Sequence, residues 1–279
     1  MSNRIDVRFE ELRARREKAF IAYICAGDPS LSKTVELALA FEKAGVDVLE
    51  LGVPFSDPLA DGIVNQMAAQ RAIEAGATVA GVLNCVREIR RASELPIVLY
   101  TYLNPVFQYG YERFHADAVA AGVDGLLILD LPPDEEGESG RDSPLHIRLI
   151  TPTTAPDRMR KICERGAGFI YYVSREGVTG VQANVTSSLG ERVAVIRTCT
   201  KLPIAVGFGV SNARQAEQVA ECADAVVVGS AIVQRIAELG AASSLPERVS
   251  AFVQTLVAAT KGYAAGDSAT TKKQKRADL

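Results

Sequence analysis

The chain has 279 residues, 48% of them hydrophobic and 23% charged, with a formal net charge of -3. Such a chain can bury a sizeable globular core, and it lacks the basic field that would draw nucleic acid or an anionic membrane surface. Cysteine occurs only at Cys25, Cys85, Cys163, Cys199 and Cys222, with no CxxC pair, which fits a reduced cytoplasmic compartment, and no apolar run approaches the roughly 20 residues of a membrane span.

In chain order, the charged residues 3–16, with Ile5, Val7, Phe9 and Leu12 interspersed, predict a helix that caps one end of the fold. Short apolar runs then recur at 20–26, 46–52, 96–102, 123–130, 145–151, 168–174, 202–208 and 223–229. Their near-continuous apolarity suits strands covered on both faces. Helical spacing fills the gaps between them. Residues 31–45 place Val35, Ala38 and Leu39 on one face, with Gly45 closing the helix, and Gly122 and Gly166 close two others in the same way. Eight β/α units in about 240 residues predict an α/β fold, a (β/α)8 TIM barrel in one domain over residues 1–264; a doubly wound open sheet is the alternative. A final amphipathic helix is expected over 245–263. The polar stretch 265–279, with Lys272, Lys273, Lys275 and Arg276, reads as a disordered basic tail. Two connections, 53–95 and the Pro- and acid-rich 130–142, are longer than one crossover requires, and such loops are functional or disordered more often than structural.

In a barrel the site forms where the strands end C-terminally. No lysine stands at such a position, so a Schiff-base nucleophile is lacking. His115 falls in a predicted helix and His146 at the start of the fifth strand, which leaves no His-rich metal centre and no Ser-His or Cys-His pair. Carboxylates and tyrosines remain. The stretch VDVLELGVPFSDPLADG, 46–62, carries Glu50 near the end of an apolar strand and Asp57 and Asp61 in the loop beyond it. A desolvated Glu50 would hold or release a proton near neutral pH, while Asp61 on its loop stays ionised and accepts a hydrogen bond. Spacing alone leaves a second reading open, with Glu50 in an ion pair to an arginine and the aspartates forming turns. After the seventh and eighth strands, GFGVSN and GSAIV are expected to pass directly from strand to helix. Backbone N–H groups at Gly209, Gly229 and Ser230 would then face a phosphate, although tight turns that need glycine would read the same way. SREGVTG, 174–180, fits either a lid over a ligand or a plain surface loop. Tyr23, Tyr102 and Tyr171 on the rim suit a flat apolar head group or simple core packing.

LELGVPFSDPLADG, with YVSREGVTG, GFGVS, GSAIV, AGDPS and DLPPDEE, in order from about residue 5 to residue 263, resembles the alpha subunit family of tryptophan synthase. The resemblance implies a lyase of the carbon-oxygen class. Its reaction would be the retro-aldol cleavage of indole-3-glycerol phosphate to indole and glyceraldehyde 3-phosphate, in the last stage of L-tryptophan biosynthesis. It implies that Glu50 shuttles the proton, that Asp61 holds the indole N–H, and that Tyr171 lies close to the substrate, where the rim reading also places Tyr23 and Tyr102. Thr179 would be the lid residue that meets the aspartate, and Gly180, Gly209, Gly229 and Ser230 the phosphate cradle. No metal and no cofactor are implied for this chain. Pyridoxal phosphate would belong to a beta subunit, joined in an α2β2 heterotetramer and coupled through the loops after strands two and six. The chain departs from the family where Ile63, Val64 and Asn65 replace the usual Pro-Thr-Ile. Tyr23 stands for a phenylalanine, Cys25 for a threonine, and Pro105 is additional. The altered loop keeps open a subunit that mainly binds and activates the beta chain. A phosphosugar isomerase or epimerase would need an acid pair across strands one and five, which end in CAGD and LIT.

Overall fold

The computed structural model describes residues 2–135, 144–174, 182–207 and 209–262, and within 182–187 the backbone alone. Its first half runs α1 (Arg4–Arg15), β1 (Ala19–Cys25), α2 (Leu31–Lys43), β2 (Val48–Gly52), α3 (Ile63–Glu74), α4 (Val79–Arg90), β3 (Ile97–Thr101), α5 (Leu103–Tyr109), α6 (Tyr111–Ala121) and β4 (Gly125–Ile128). The second half runs β5 (Leu145–His146), β6 (Arg148–Ile150), α7 (Pro156–Glu164), β7 (Ile170–Val173), α8 (Gln182–Arg197), β8 (Ile204–Gly207), α9 (Ala213–Ala220), β9 (Ala225–Val228), α10 (Ser230–Leu239) and α11 (Leu245–Lys261).

The strands pair in parallel in the order β5-β4-β3-β2-β1-β9-β8-β7-β6. Nine strands correspond to eight predicted runs because the fifth run divides at Ile147. β5 pairs with β4, β6 pairs with β7, and the Ile147 N–H still donates to the Leu126 carbonyl at 2.9 Å. One strand thus passes from one neighbour to the other and joins the two ends of the sheet, so the fold is the (β/α)8 barrel and not the open sheet. The predicted apolar runs overshoot most of the paired strands by one to three residues at their ends, as 202–208 against Ile204–Gly207 shows.

Side-chain alternation sorts each strand into an inner and an outer set. Ile21, Val48, Val98, Leu127, Phe169, Ala205 and Val227 point inward and pack with Ile5, Phe9 and Leu12 of α1, which therefore plugs the N-terminal end of the barrel as predicted. Phe20, Leu49, Leu51, Leu99 and Val226 face the surrounding helices. In α2 the buried stripe is Thr34, Leu37, Ala38 and Phe41, with Val35 and Leu39 only partly buried. The face is rotated from the predicted one because the bulky Phe41 takes the core position and Thr34 binds the Gly27 N–H at 3.0 Å. Gly45, at φ +91, ends this helix as expected.

Three aspartates lie one residue before β2, β4 and β9. Asp47, Asp124 and Asp224 accept the backbone N–H groups of Phe20, Ile97 and Ile204 at 2.8, 2.8 and 2.9 Å. Each also meets a cation, at 3.0 Å from Lys261, 2.6 Å from Arg90 and 2.9 Å from Arg197. At the opposite end, the long connection 53–95 resolves into two helices. Ala68, Ala69 and Ala72 of α3 and Val233 of α10 close over the top of β1 against Tyr23 and Cys25. Among the described residues no helix is long and apolar enough to cross a membrane.

Candidate active site at the C-terminal mouth

The alternation that directs Val48 and Val98 into the barrel brings Glu50 and Tyr100 inward two residues later, as it does Tyr23 on the adjacent β1 and Tyr171 on the more distant β7. Tyr23 is level with Glu50, and Gly52 with Tyr100. Glu50 is 1% exposed, and its Oε1 has no hydrogen-bond partner among the described residues. Burial alone pushes its carboxyl up to about 8, so it is a neutral acid at pH 7 that can give up a proton at little cost. The ion-pair reading of Glu50 finds no arginine among the described residues.

Asp61 is brought to the same mouth by a tight turn in which its N–H donates to the Pro58 carbonyl at 3.0 Å. The Tyr100 hydroxyl donates to Oδ1 at 3.0 Å, the Tyr102 hydroxyl to Oδ2 at 2.8 Å, and Asn65 Nδ2 approaches Oδ1 at 3.5 Å. Tyr102 Oη in turn accepts the Ala60 N–H at 3.0 Å and so ties strand to loop. Burial pushes the Asp61 carboxyl upward, and these three donors oppose it by favouring the ionised form. Asp57 differs: it is exposed and accepts from its neighbour Ser56 Oγ at 2.6 Å, as a turn former would. Of the three acids in the stretch, two therefore face the mouth and one shapes the loop.

The tyrosines fit because glycines make room for them. A Cβ on Gly52 would come within 2.6 Å of the Tyr23 hydroxyl, and one on Gly207 within 2.6 Å of the Tyr171 hydroxyl. Tyr23 meets Tyr100 edge-on, with ring centroids 5.0 Å apart. Tyr102 stacks at a tilt on Phe55 at 5.4 Å. Sequence reading missed Tyr100, although it lies only two residues before Tyr102, which is the signal that could have found it. It also missed Asn65, for which no local signal exists.

The phosphate seat needs a correction. GFGVSN does not pass directly from strand to helix, since β8 ends at Gly207 and α9 begins only at Ala213. Ser211-Asn212 is itself a helix-capping sequence. Asn212 accepts the Gln215 N–H at 3.0 Å, and Gln215 Oε1 takes the Ser211 N–H at 2.7 Å, so the start of α9 carries a side-chain cap. Gly209, at φ +74, lies in the loop between β8 and α9. After β9 the passage is direct. Gly229 is followed at once by α10 from Ser230, with no side-chain cap, which leaves N–H donors and the positive end of the helix dipole at the mouth. A Cβ on Gly229 would lie 3.2 Å from the Tyr23 ring, so this glycine lets α10 approach β1. Thr179 and Gly180, with most of the expected lid, lie outside the described residues. Two other rim acids are structural: Asp28 holds Arg71 through two hydrogen bonds of 2.9 and 2.7 Å, and Asp130 accepts the Leu103 N–H at 2.6 Å. Among the described residues no group of His, Cys, Asp and Glu is placed to hold a metal ion.

Comparison with known proteins agrees with this geometry. The sequence model of the family described as Tryptophan synthase alpha chain matches residues 9–261. The chain belongs to that family. It is 51% identical to the tryptophan synthase alpha chain of Opitutus terrae, over 93% of this chain and 99% of that one. With the alpha chain of Geotalea daltonii the identity is 46%, over 91% and 98%. Among solved structures, the alpha chain of Legionella pneumophila superposes with a TM-score of 0.85 at 39% identity, covering 95% of this chain and 100% of that one. Ligand-free tryptophan synthase of M. tuberculosis gives 0.83 at 32% identity, over 93% and 100%. Membership makes the chain a lyase of tryptophan biosynthesis that cleaves indole-3-glycerol phosphate.

Proposed function

We propose that Glu50 and Asp61 divide the proton chemistry of this cleavage. The observation that carries the reading is a buried Glu50, whose Oε1 has no hydrogen-bond partner among the described residues, in the same mouth as an Asp61 held by two tyrosine hydroxyls. The phosphate would sit on Gly180, Gly209, Gly229 and Ser230, with the indole among Tyr23, Tyr102 and Tyr171. Glu50, neutral at the start, gives its proton to indole C3, and the ring becomes a cation. Asp61 accepts the indole N–H and balances that charge. The Glu50 carboxylate then takes the proton of the hydroxyl on the carbon attached to C3. The oxygen's electrons form the aldehyde, the C–C bond breaks, and its electron pair returns to the ring. Indole and glyceraldehyde 3-phosphate leave, and Glu50 is again protonated. Thr179 would close the lid onto Asp61. The steps require no lysine, metal or cofactor from this chain.

Leu59 (91% exposed) and Ile63 (68%) follow β2 and Phe107 (70%) follows β3, and a groove of about 380 Å³ is lined by Phe55, Pro58, Met67 and Ile73 together with Ser56, Gln66, Gln70 and Glu74. Exposed apolar side chains such as these suit the docking of a beta subunit in an α2β2 heterotetramer, in which the beta subunit carries the pyridoxal phosphate. The reading places the enzyme in the cytoplasm as one barrel domain over 1–264, and the expected tail over 265–279 lies outside the described residues. Glu50→Gln tests the mechanism. Indole release should fall by about 10²–10⁴, while 3-indolylpropyl phosphate, which cannot be cleaved, binds within a few-fold of wild type. Near-normal turnover in the variant would remove Glu50 from its role. Absence of turnover in the wild-type chain, alone and with a beta subunit, would overturn the activity itself.

A further inference from the structure

Asp61 sits at the end of a loop beside exposed residues: Leu59 is 91% exposed, and Ile63 at the start of α3 is 68% exposed. Left to itself such a carboxylate would swing outward. Here donors from a strand and a helix hold it inward. We infer that Tyr100 and Asn65 form a positioning clamp on Asp61 Oδ1, which sets the aspartate toward the indole seat. The inference rests on the role given to Asp61 above.

Tyr100 on β3 and Tyr102 just beyond its end reach different oxygens, Oδ1 at 3.0 Å and Oδ2 at 2.8 Å. Two donors on two oxygens fix the rotation of the carboxylate plane, which neither could do alone. Tyr100 is immobilised in turn by its edge-on contact with Tyr23. The third donor comes from the first turn of α3. Asn65 Nδ2 approaches Oδ1 at 3.5 Å, and the adjacent Gln66 Nε2 holds the Asp61 main-chain carbonyl at 2.9 Å. The Asn65 amide can have only one orientation, because its own oxygen turned toward Asp61 would face another oxygen. The consequence is visible: Asn65 Oδ1 is buried without a hydrogen-bond partner among the described residues. A buried acceptor left empty is a cost, and a residue kept at such a cost is held for what its other atoms do. Asn65 also falls within the stretch 63–65 where this sequence departs from the family pattern.

The titratable groups electrostatically linked to Asp61 are Tyr23 and Cys25 on β1, Tyr100 and Tyr102 at β3, and Tyr171 on β7; Glu50 on β2 acts on Tyr23 and Tyr171 as well. The hydroxyl of Tyr100 donates to the ionised aspartate, so its removal should make Asp61 easier to protonate. The test is kcat/KM for indole release against pH, with thermal midpoints, for Tyr100→Phe, Asn65→Leu, Asp61→Asn and the double variant Tyr100→Phe/Asp61→Asn. Tyr100→Phe is expected to lower kcat/KM roughly tenfold and to move the acidic limb upward by about half a pH unit or more, at a thermal midpoint close to wild type. Asn65→Leu should shift the same limb in the same direction by less, and it stands in if Tyr100→Phe does not fold. In the Asp61→Asn background the loss of the Tyr100 hydroxyl should add nothing, whereas a merely structural role would add its full effect. An unmoved acidic limb in both single variants, or full additivity in the double variant, overturns the clamp. If Asp61→Asn alone keeps a near-normal rate, it is the assigned role of Asp61 that fails.

Discussion

Glu50 joins two properties that oppose each other in the folding balance. Its neutral form is what the barrel interior accepts, and its charged form is what the second half of the reaction uses. With its carboxyl raised to about 8 against an ordinary value of 4.5, the folded state holds a proton that the unfolded chain has released between these pH values. Folding stability attributable to Glu50 is therefore full below about pH 4.5 and is lost as the pH rises toward 8. Glu50→Gln removes this liability. Its stability should match wild type near pH 4.5 and exceed it by up to about 4 kcal/mol at pH 8, measured by urea unfolding across that range. A variant less stable than wild type at pH 8 would mean that the carboxyl is not desolvated as described. In the wild-type enzyme, kcat/KM should likewise fall above about pH 8, as Glu50 loses the proton that the first step needs. Glu50 was legible in the sequence because an acid inside an apolar strand is rare, and Asp61 because of its motif. Tyr100 and Asn65 were not, since their partner is set by where the loop folds back and not by neighbours in sequence.

Among the elements, β2, β4 and β9 start from the same device. Asp47, Asp124 and Asp224 each bind a neighbouring strand's N–H and a cation, and so fix which strands lie side by side at the closed end of the barrel. Asp124 is the most committed, since Arg90 is only 10% exposed and Arg4 also reaches the carboxylate at 3.0 Å. Asp124→Ala would leave a buried guanidinium and the Ile97 N–H without their acceptor, so a loss of about 3–5 kcal/mol is expected. The urea midpoint should fall with little change in KM, because the substitution lies at the far end from the mouth; a midpoint within error of wild type would count against the device. The dipeptides Val46-Asp47, Val123-Asp124 and Ala223-Asp224 show this repeat in the sequence, but only strand pairing shows what the acids hold. The misplaced helix start after β8 has a related cause. Gly-rich turns and capping residues overlap in GFGVSN, and local pattern does not decide which residue begins the helix.

For the whole molecule, the decisive place is the seam where the fifth strand passes from β4 to β7. His115 of α6 stacks on His146 there, with ring centroids 5.6 Å apart and planes within 12°. Burial lowers both imidazoles, His146 to about 4. A histidine kept neutral in the fold contributes stability that is whole above about pH 6.5 and lost as the pH falls toward 4. Acid should therefore loosen the barrel at this seam, by about 2 kcal/mol between pH 6.5 and 4.5. His146→Phe keeps the ring and removes the proton site, so thermal unfolding of the variant should depend less on acid over that interval. Equal acid sensitivity in both proteins would place the weakness elsewhere.

The order of apolar runs and helical segments, with the acids and glycines at the strand ends, by itself determined the eightfold barrel, the plugging helix and the carboxylates that face the mouth. These follow from periodicity and from motif, which are properties of neighbouring residues. Tertiary structure alone decided that Glu50 Oε1 has no partner among the described residues, that Tyr100 and Asn65 close on Asp61, and that α10 starts directly after its strand without a side-chain cap while α9 starts after a loop and a cap. Each depends on atoms brought together from distant parts of the chain, where burial and hydrogen bonding are set by what lies across the gap.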